Sequence, residues 1–132
     1  MIEASPPITL FPLVDEPRAR SIFKVFGDES ASEWKLFVMD VETYFGRLGE
    51  ALAGGEPTRV TGLLHAMKGA VSCYGLKRLE KLLARWEEEI SSRRFRLSDL
   101  QWLAVLFENS VCDMERRFPF LCEAGARTGR GR

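Results

Sequence analysis

His65 is the only histidine in the chain, and the residues spaced around it decide what chemistry an imidazole could do there. Read as a helix of about 3.6 residues per turn, the stretch puts Val60, Leu63, Leu64, Met67, Val71 and Tyr74 on one side. Their mean direction lies roughly 150° around the axis from His65, which turns the imidazole toward solvent. The outer face it shares is bare. Gly62 lies one turn before it, Gly69 one turn after and Ser72 two turns after, with Thr61 and Lys68 beside them. Glycine inside a helix costs ~1 kcal/mol relative to alanine, and both glycines fall on the histidine face. An exposed imidazole is largely neutral at neutral pH, so a ring nitrogen is free to attack. The predicted chemistry is therefore nucleophilic, on an open surface. A phosphoryl group received there brings about two negative charges, and Lys68, roughly 60° around the helix, can carry an ammonium to them. Gly69 clears the ground for a partner, and Thr61, Gly62, Gly69 and Ser72 form the expected docking face.

Other chemistries lack their parts. A hydrolase triad would need His65 as its base, yet Ser72 is roughly 10 Å along the same helix. No glycine-rich phosphate loop precedes a helix. The three cysteines, Cys73, Cys112 and Cys122, are widely spaced with no C-x-x-C pair, and one histidine cannot complete the usual zinc patterns. No metal site of the chain's own is expected. The cysteines are expected to be reduced and mostly buried, Cys73 partly exposed. The run Glu87-Glu88-Glu89 reads as a solvated helix face. Nineteen basic residues balance nineteen acidic ones, so no global field points to nucleic acid or a membrane. The local clusters at Arg93, Arg94 and Arg96, at Arg116 and Arg117, and at Arg127, Arg130 and Arg132 read as solvated helix ends and a frayed terminus. The N-terminus has no signal-peptide pattern, and no run approaches the ~18 apolar residues of a membrane span. A cytoplasmic protein, or the cytoplasmic part of something larger, is expected.

The elements that must hold this face are helices. A chain of 132 residues suits one domain with an adequate core. Residues 1–15 carry Pro6, Pro7 and Pro12 around Ile8-Thr9-Leu10-Phe11 and read as either a linker or an extended arm packed on the domain. The domain itself is expected over residues 16–122. A short helix fits Glu16 to Phe26, stopped by Gly27. Ser30 and Glu33 have capping-box spacing and open a helix with Trp34, Phe37, Val38, Val41, Tyr44, Phe45, Leu48 and Leu52 on one stripe, ending at Gly54-Gly55. Pro57 starts the His65 helix, which runs to about Tyr74. Leu76, Leu79, Leu83, Trp86 and Ile90 mark the next. Ser98 and Gln101 suggest a second capping box before a helix with Leu100, Leu103, Ala104, Phe107, Val111, Met114 and Phe118 inward, stopped by Pro119. Residues 123–132 read as a flexible basic tail. The expectation is an all-α, antiparallel four-helix bundle with a short extra N-terminal helix.

At this point the residues carry a resemblance. His65-x-x-Lys68-Gly69-x-x-x-x-x-Gly75 resembles the H-x-x-K-G-x-x-x-x-x-G pattern of histidine-containing phosphotransfer (HPt) domains of bacterial multistep phosphorelays, and Gly75-Leu76-Lys77-Arg78-Leu79 is similar to that family's next helix. The pattern covers eleven residues and the compatible helix order roughly 30 to 118. The resemblance implies that His65 accepts a phosphoryl group from a receiver-domain aspartate and passes it to another receiver, as a carrier and not an autonomous kinase. It implies charge stabilisation by Lys68, steric access at Gly69 and helix geometry at Gly75. It also implies partners among response-regulator receivers, including those of a hybrid sensor histidine kinase, with magnesium supplied by the receiver and the chain itself a monomer. Met67 stands where leucine is frequent, a volume-conserving exchange; Cys73 and Tyr74 are bulky near the end of the pattern and would make docking selective. A histidine kinase dimerisation helix fits less well, because Ala66 replaces the acidic residue expected after its histidine. The alternative is a helical interaction domain, or a degenerate relative that binds a receiver without exchanging phosphate.

Overall fold

A computed structural model describes residues 6–122; residues 1–5 of the N-terminal arm and the expected tail, 123–132, lie outside the described residues. Helix α1, Glu16–Phe26, opens with Asp15, whose carboxylate accepts the Arg18 amide at 3.2 Å, and closes at Gly27, where φ is 55°. A single 3-10 turn then leads into α2, Ser30–Ala53. Ser30 is not the cap its spacing suggests. Its backbone is already helical, and its hydroxyl donates instead to the Phe23 carbonyl at 3.0 Å, tying α2 back to α1. Helix α3, Pro57–Cys73, follows after Gly54 and Gly55, and α4, Lys77–Glu89, after Gly75. Helix α5, Leu97–Arg117, starts earlier than the Ser98–Gln101 pair implies. Arg96 is its cap, and the Asp99 carboxylate accepts the Arg96 amide at 2.8 Å. No strand is present among the described residues, and α2 to α5 form the antiparallel bundle with α1 added at one end.

The apolar stripes meet in one core that includes Trp34, Val41, Leu48, Leu64, Met67, Leu79, Leu83, Leu103 and Met114. Tyr74 turns inward too. Its ring lies 4.4 Å from that of Phe37 and 5.4 Å from that of Trp34, and burial pushes its phenol up to about 12. It is a core residue and lies off the outer face that carries His65. None of the cysteines is in a disulfide and Cys73 is exposed, but Cys112 and Cys122 are exposed as well, against the expected burial. Each falls on an outward helix position, and position outweighs residue type. Among the described residues, no helix is long and apolar enough to cross a membrane.

Residues 6–15 lie along α4. The Arg78 Nε donates to the Phe11 carbonyl at 2.8 Å, Arg85 donates to the Pro6 carbonyl, and Ile8 and Val14 are buried beneath. Where this segment meets the bundle, the Asp15 amide donates to the Gly75 carbonyl at 2.7 Å. Gly75 has φ +76°, and a Cβ there would stand 2.8 Å from the Asp15 carbonyl oxygen and 3.2 Å from the Ala19 nitrogen. Both the left-handed backbone and the close approach demand glycine. Gly75→Ala is expected to remove about 2–4 kcal/mol of stability, read as a lowered urea midpoint at unchanged slope; an unmoved midpoint would refute the requirement.

Candidate functional site

Helix α3 buries Val60, Leu64, Met67 and Val71, which fixes its rotation and sends His65 outward with a side chain 70% exposed. A Cβ on Gly62 or Gly69 would meet nothing within 4 Å. The protein's own packing therefore gives no reason for either glycine. Thr61, one turn before His65, is half-buried and spends its hydroxyl on the Pro57 carbonyl at 2.9 Å. Ser72 is half-buried at the far end, where its carbonyl accepts the Arg18 Nε at 3.0 Å. His65, Lys68 and the two glycines thus make the centre of the face, with Thr61 and Ser72 along its length.

One group at the site escapes a reading of the sequence by composition. Glu87, on α4, comes to His65: its Oε2 lies 2.9 Å from the His65 Nδ1, and its Oε1 lies 2.9 Å from the Lys68 Nζ. The expected solvated face of Glu87, Glu88 and Glu89 therefore fails at its first residue. Oε1 is buried without a well-directed hydrogen bond, so the ammonium serves it by charge. The connection from α3 to α4 is short, so the two helices run back along each other and residues near 85 come level with His65. That register, combined with the place of Glu87 one turn beyond buried Leu83, is the signal that could have found it.

The Lys68 ammonium holds the Glu87 carboxyl below its ordinary value; partial burial opposes this, and the bond to His65 adds to it. The carboxylate is therefore ionised at neutral pH and can only accept. It follows that Nδ1 presents a proton to Oε2, and Nε2 is the ring nitrogen that Glu87 leaves unengaged. Because the folded Glu87 pKa is lowered, its stabilising effect is complete above the unfolded value and is lost as pH falls through the folded one. Chemically the site is an exposed imidazole held through Nδ1 by a carboxylate, with a cation beside it and open ground before it. Among the described residues no group of three or more metal-ligating side chains comes together.

Comparison with known proteins adds one match. The model of the Hpt domain matches residues 33–118, a span that contains His65, Lys68, Gly69, Gly75 and Glu87. No curated protein and no solved structure matches the chain.

Proposed function

The chain belongs to the Hpt domain family, and from that premise we propose that His65 is its phosphoryl carrier, loaded by the aspartate of one receiver domain and unloaded onto the aspartate of another. Family membership supplies the general role, histidine phosphotransfer within a phosphorelay with receiver domains as partners. What supports the specific reading is the Glu87 bridge. With Nδ1 tied to Oε2 at 2.9 Å, Nε2 is the nitrogen with a lone pair to offer.

In the forward step, Nε2 attacks the phosphorus of an aspartyl phosphate. The N–P bond forms as the O–P bond breaks, and the electron pair returns to the receiver's carboxylate. No proton leaves the ring: Nδ1–H persists, the imidazole becomes cationic, and the Glu87 carboxylate faces that charge. Lys68 is within reach of the incoming phosphoryl oxygens, as a compact cation on a flexible stem. The reverse step, to a second receiver, retraces the same path. Each transfer needs the partner's aspartate, with magnesium bound on the receiver. The chain contributes half of an active centre.

The test is transfer from a purified receiver, charged with acetyl phosphate in the presence of magnesium. The label is expected to be stable to base and labile to acid, with nitrogen-15 spectra placing the N–P bond at Nε2. A label at Nδ1, or binding without any label, would overturn the mechanism. Glu87 gives a second readout. Glu87→Ala is expected to slow loading about 10- to 100-fold, the range for removing a partner that orients a working imidazole. The ring of the variant is expected to lose its single tautomer in the same spectra. An unchanged loading rate would exclude Glu87 from the step.

A further inference from the structure

At the end of the bundle where the α2–α3 turn meets the connection from α4 to α5, a recess of about 310 Å³ opens to solvent. Its apolar lining comes from Ala51 and Leu52 at the end of α2, Val60 near the start of α3, and Ile90 and Phe95 beyond α4. Leu52, Ile90 and Phe95 are only half-buried, so apolar surface there stays in contact with water. A second void adjoins the recess on the core side, sharing Leu52, Val60 and Phe95 and lined further by buried Leu64 and Trp86. It measures about 10 Å³, room for no more than one water. Anything larger stays in the outer recess. Three charged side chains line that recess, and two of them are engaged. Glu56 lies 3.7 Å from Arg59. Arg93 lies 2.6 Å from Asp99, with its guanidinium 4.3 Å from the centroid of the Phe95 ring. Arg94 is exposed and has no hydrogen bond or ion pair among the described residues.

We propose that this recess binds a small amphiphilic anion, a carboxylate on an apolar chain of several carbons, with its head group on Arg94 and its chain along Leu52, Val60, Ile90 and Phe95. The proposal stands apart from the phosphotransfer reading. Size, surface and charge each narrow the ligand. At about 310 Å³ the recess is at the lower end of small-molecule sites, which selects a ligand of modest size. Its half-buried apolar residues gain by leaving water, so the ligand must bring a chain that covers them. The free guanidinium matches a planar carboxylate, which it can bind through two parallel hydrogen bonds. A cationic ligand would instead meet Arg93 and Arg94 together, and a wholly polar one would leave the apolar lining uncovered. Leu64 and Trp86 directly precede His65 and Glu87 in the chain. The ligand would therefore lie one layer of side chains from the two helices that hold the His65–Glu87 bridge.

The test is a titration of the nitrogen-15 labelled full chain with octanoate, and with octanol and octylamine as the same carbon chain bearing a neutral and a positive head. Octanoate is expected to shift the amides of Leu52, Gly55, Val60, Arg94 and Phe95 along saturable curves, while those of α1 stay in place. Arg94→Ala, an exposed change that leaves the fold intact, is expected to weaken octanoate about fivefold, the upper range for an exposed ion pair. The same variant should bind octanol as the unaltered chain does. Octylamine should bind more weakly than octanol. Absence of saturation at millimolar octanoate would overturn the proposal, and so would saturable shifts confined to α1 and Cys73. Octanoate affinity unchanged in Arg94→Ala, or octylamine binding as tightly as octanoate, would refute the anionic head group and the proposal with it. Labelling of His65 by a charged receiver is a separate measurement, so neither result decides the other.

Discussion

His65→Gln is expected to abolish phosphoryl acceptance and to leave the fold in place. The chain has one histidine, so no second imidazole can take over. The side chain is 70% exposed, and among the described residues its polar partner is Glu87. An exposed substitution of this kind alters stability by about 0.5 kcal/mol or less, and glutamine retains an amide that can reach the same carboxylate. The expected result is a label reduced to background with a charged receiver, an unchanged urea midpoint, and receiver affinity within a few-fold of the original. That combination isolates the nucleophile, because binding energy spread over α3 and its neighbours does not depend on one exposed ring. Label persisting in the variant would mean that the phosphoryl group sits elsewhere. A wild-type chain that binds its receiver but never takes label would favour the degenerate, binding-only relative.

The parts of this molecule that were legible in the sequence are those set by a single helix. Val60, Leu64, Met67 and Val71 fix the rotation of α3, and once that is known the 3.6-residue repeat gives the outward direction of His65 and the glycines flanking it. The same repeat predicts which faces of α2, α4 and α5 are buried. Capping was misread where two helices are nearly continuous: the 3-10 turn at Gly27–Glu29 carries the chain from α1 into α2, so Ser30 has no free helix end to cap. At α5 the pairing slipped because Asp99 reaches the Arg96 amide, two residues before Ser98. Glu87 was hidden for a different reason. Three consecutive glutamates look alike in a sequence, and only the packing of α4 on α3 selects the one that turns toward His65. The apolar residues of segment 6–15 left a linker and a packed arm both open, because part of what holds it is invisible in a sequence: Arg78 and Arg85 bind its backbone carbonyls.

Gly69→Arg should separate stability from function in opposite directions. A Cβ at Gly69 meets nothing within 4 Å, so an arginine projects into solvent without displacing any protein atom. Replacing glycine by a good helix former inside α3 stabilises that helix by up to ~1 kcal/mol, and the urea midpoint should rise accordingly. On the proposed function the same side chain would stand one turn from His65, where a receiver would bring its aspartyl phosphate to within about 3–3.5 Å of Nε2. A long side chain with a charged head cannot be buried there without displacing the partner or losing its hydration. Receiver-dependent loading should therefore fall about 100-fold, the order of effect expected when reacting atoms are held ~1 Å out of place. Gly62→Arg, one turn on the other side of His65 and equally open, tests how far the footprint extends in the opposite direction. If Gly69→Arg stabilises the fold and transfer is nonetheless unimpaired, the partner approaches over the α4 side, past Lys68 and Glu87, and the bare glycine face is not its path. A lowered urea midpoint would show that α3 in solution packs its outer face against something within the chain, which would remove the steric reason for a glycine there.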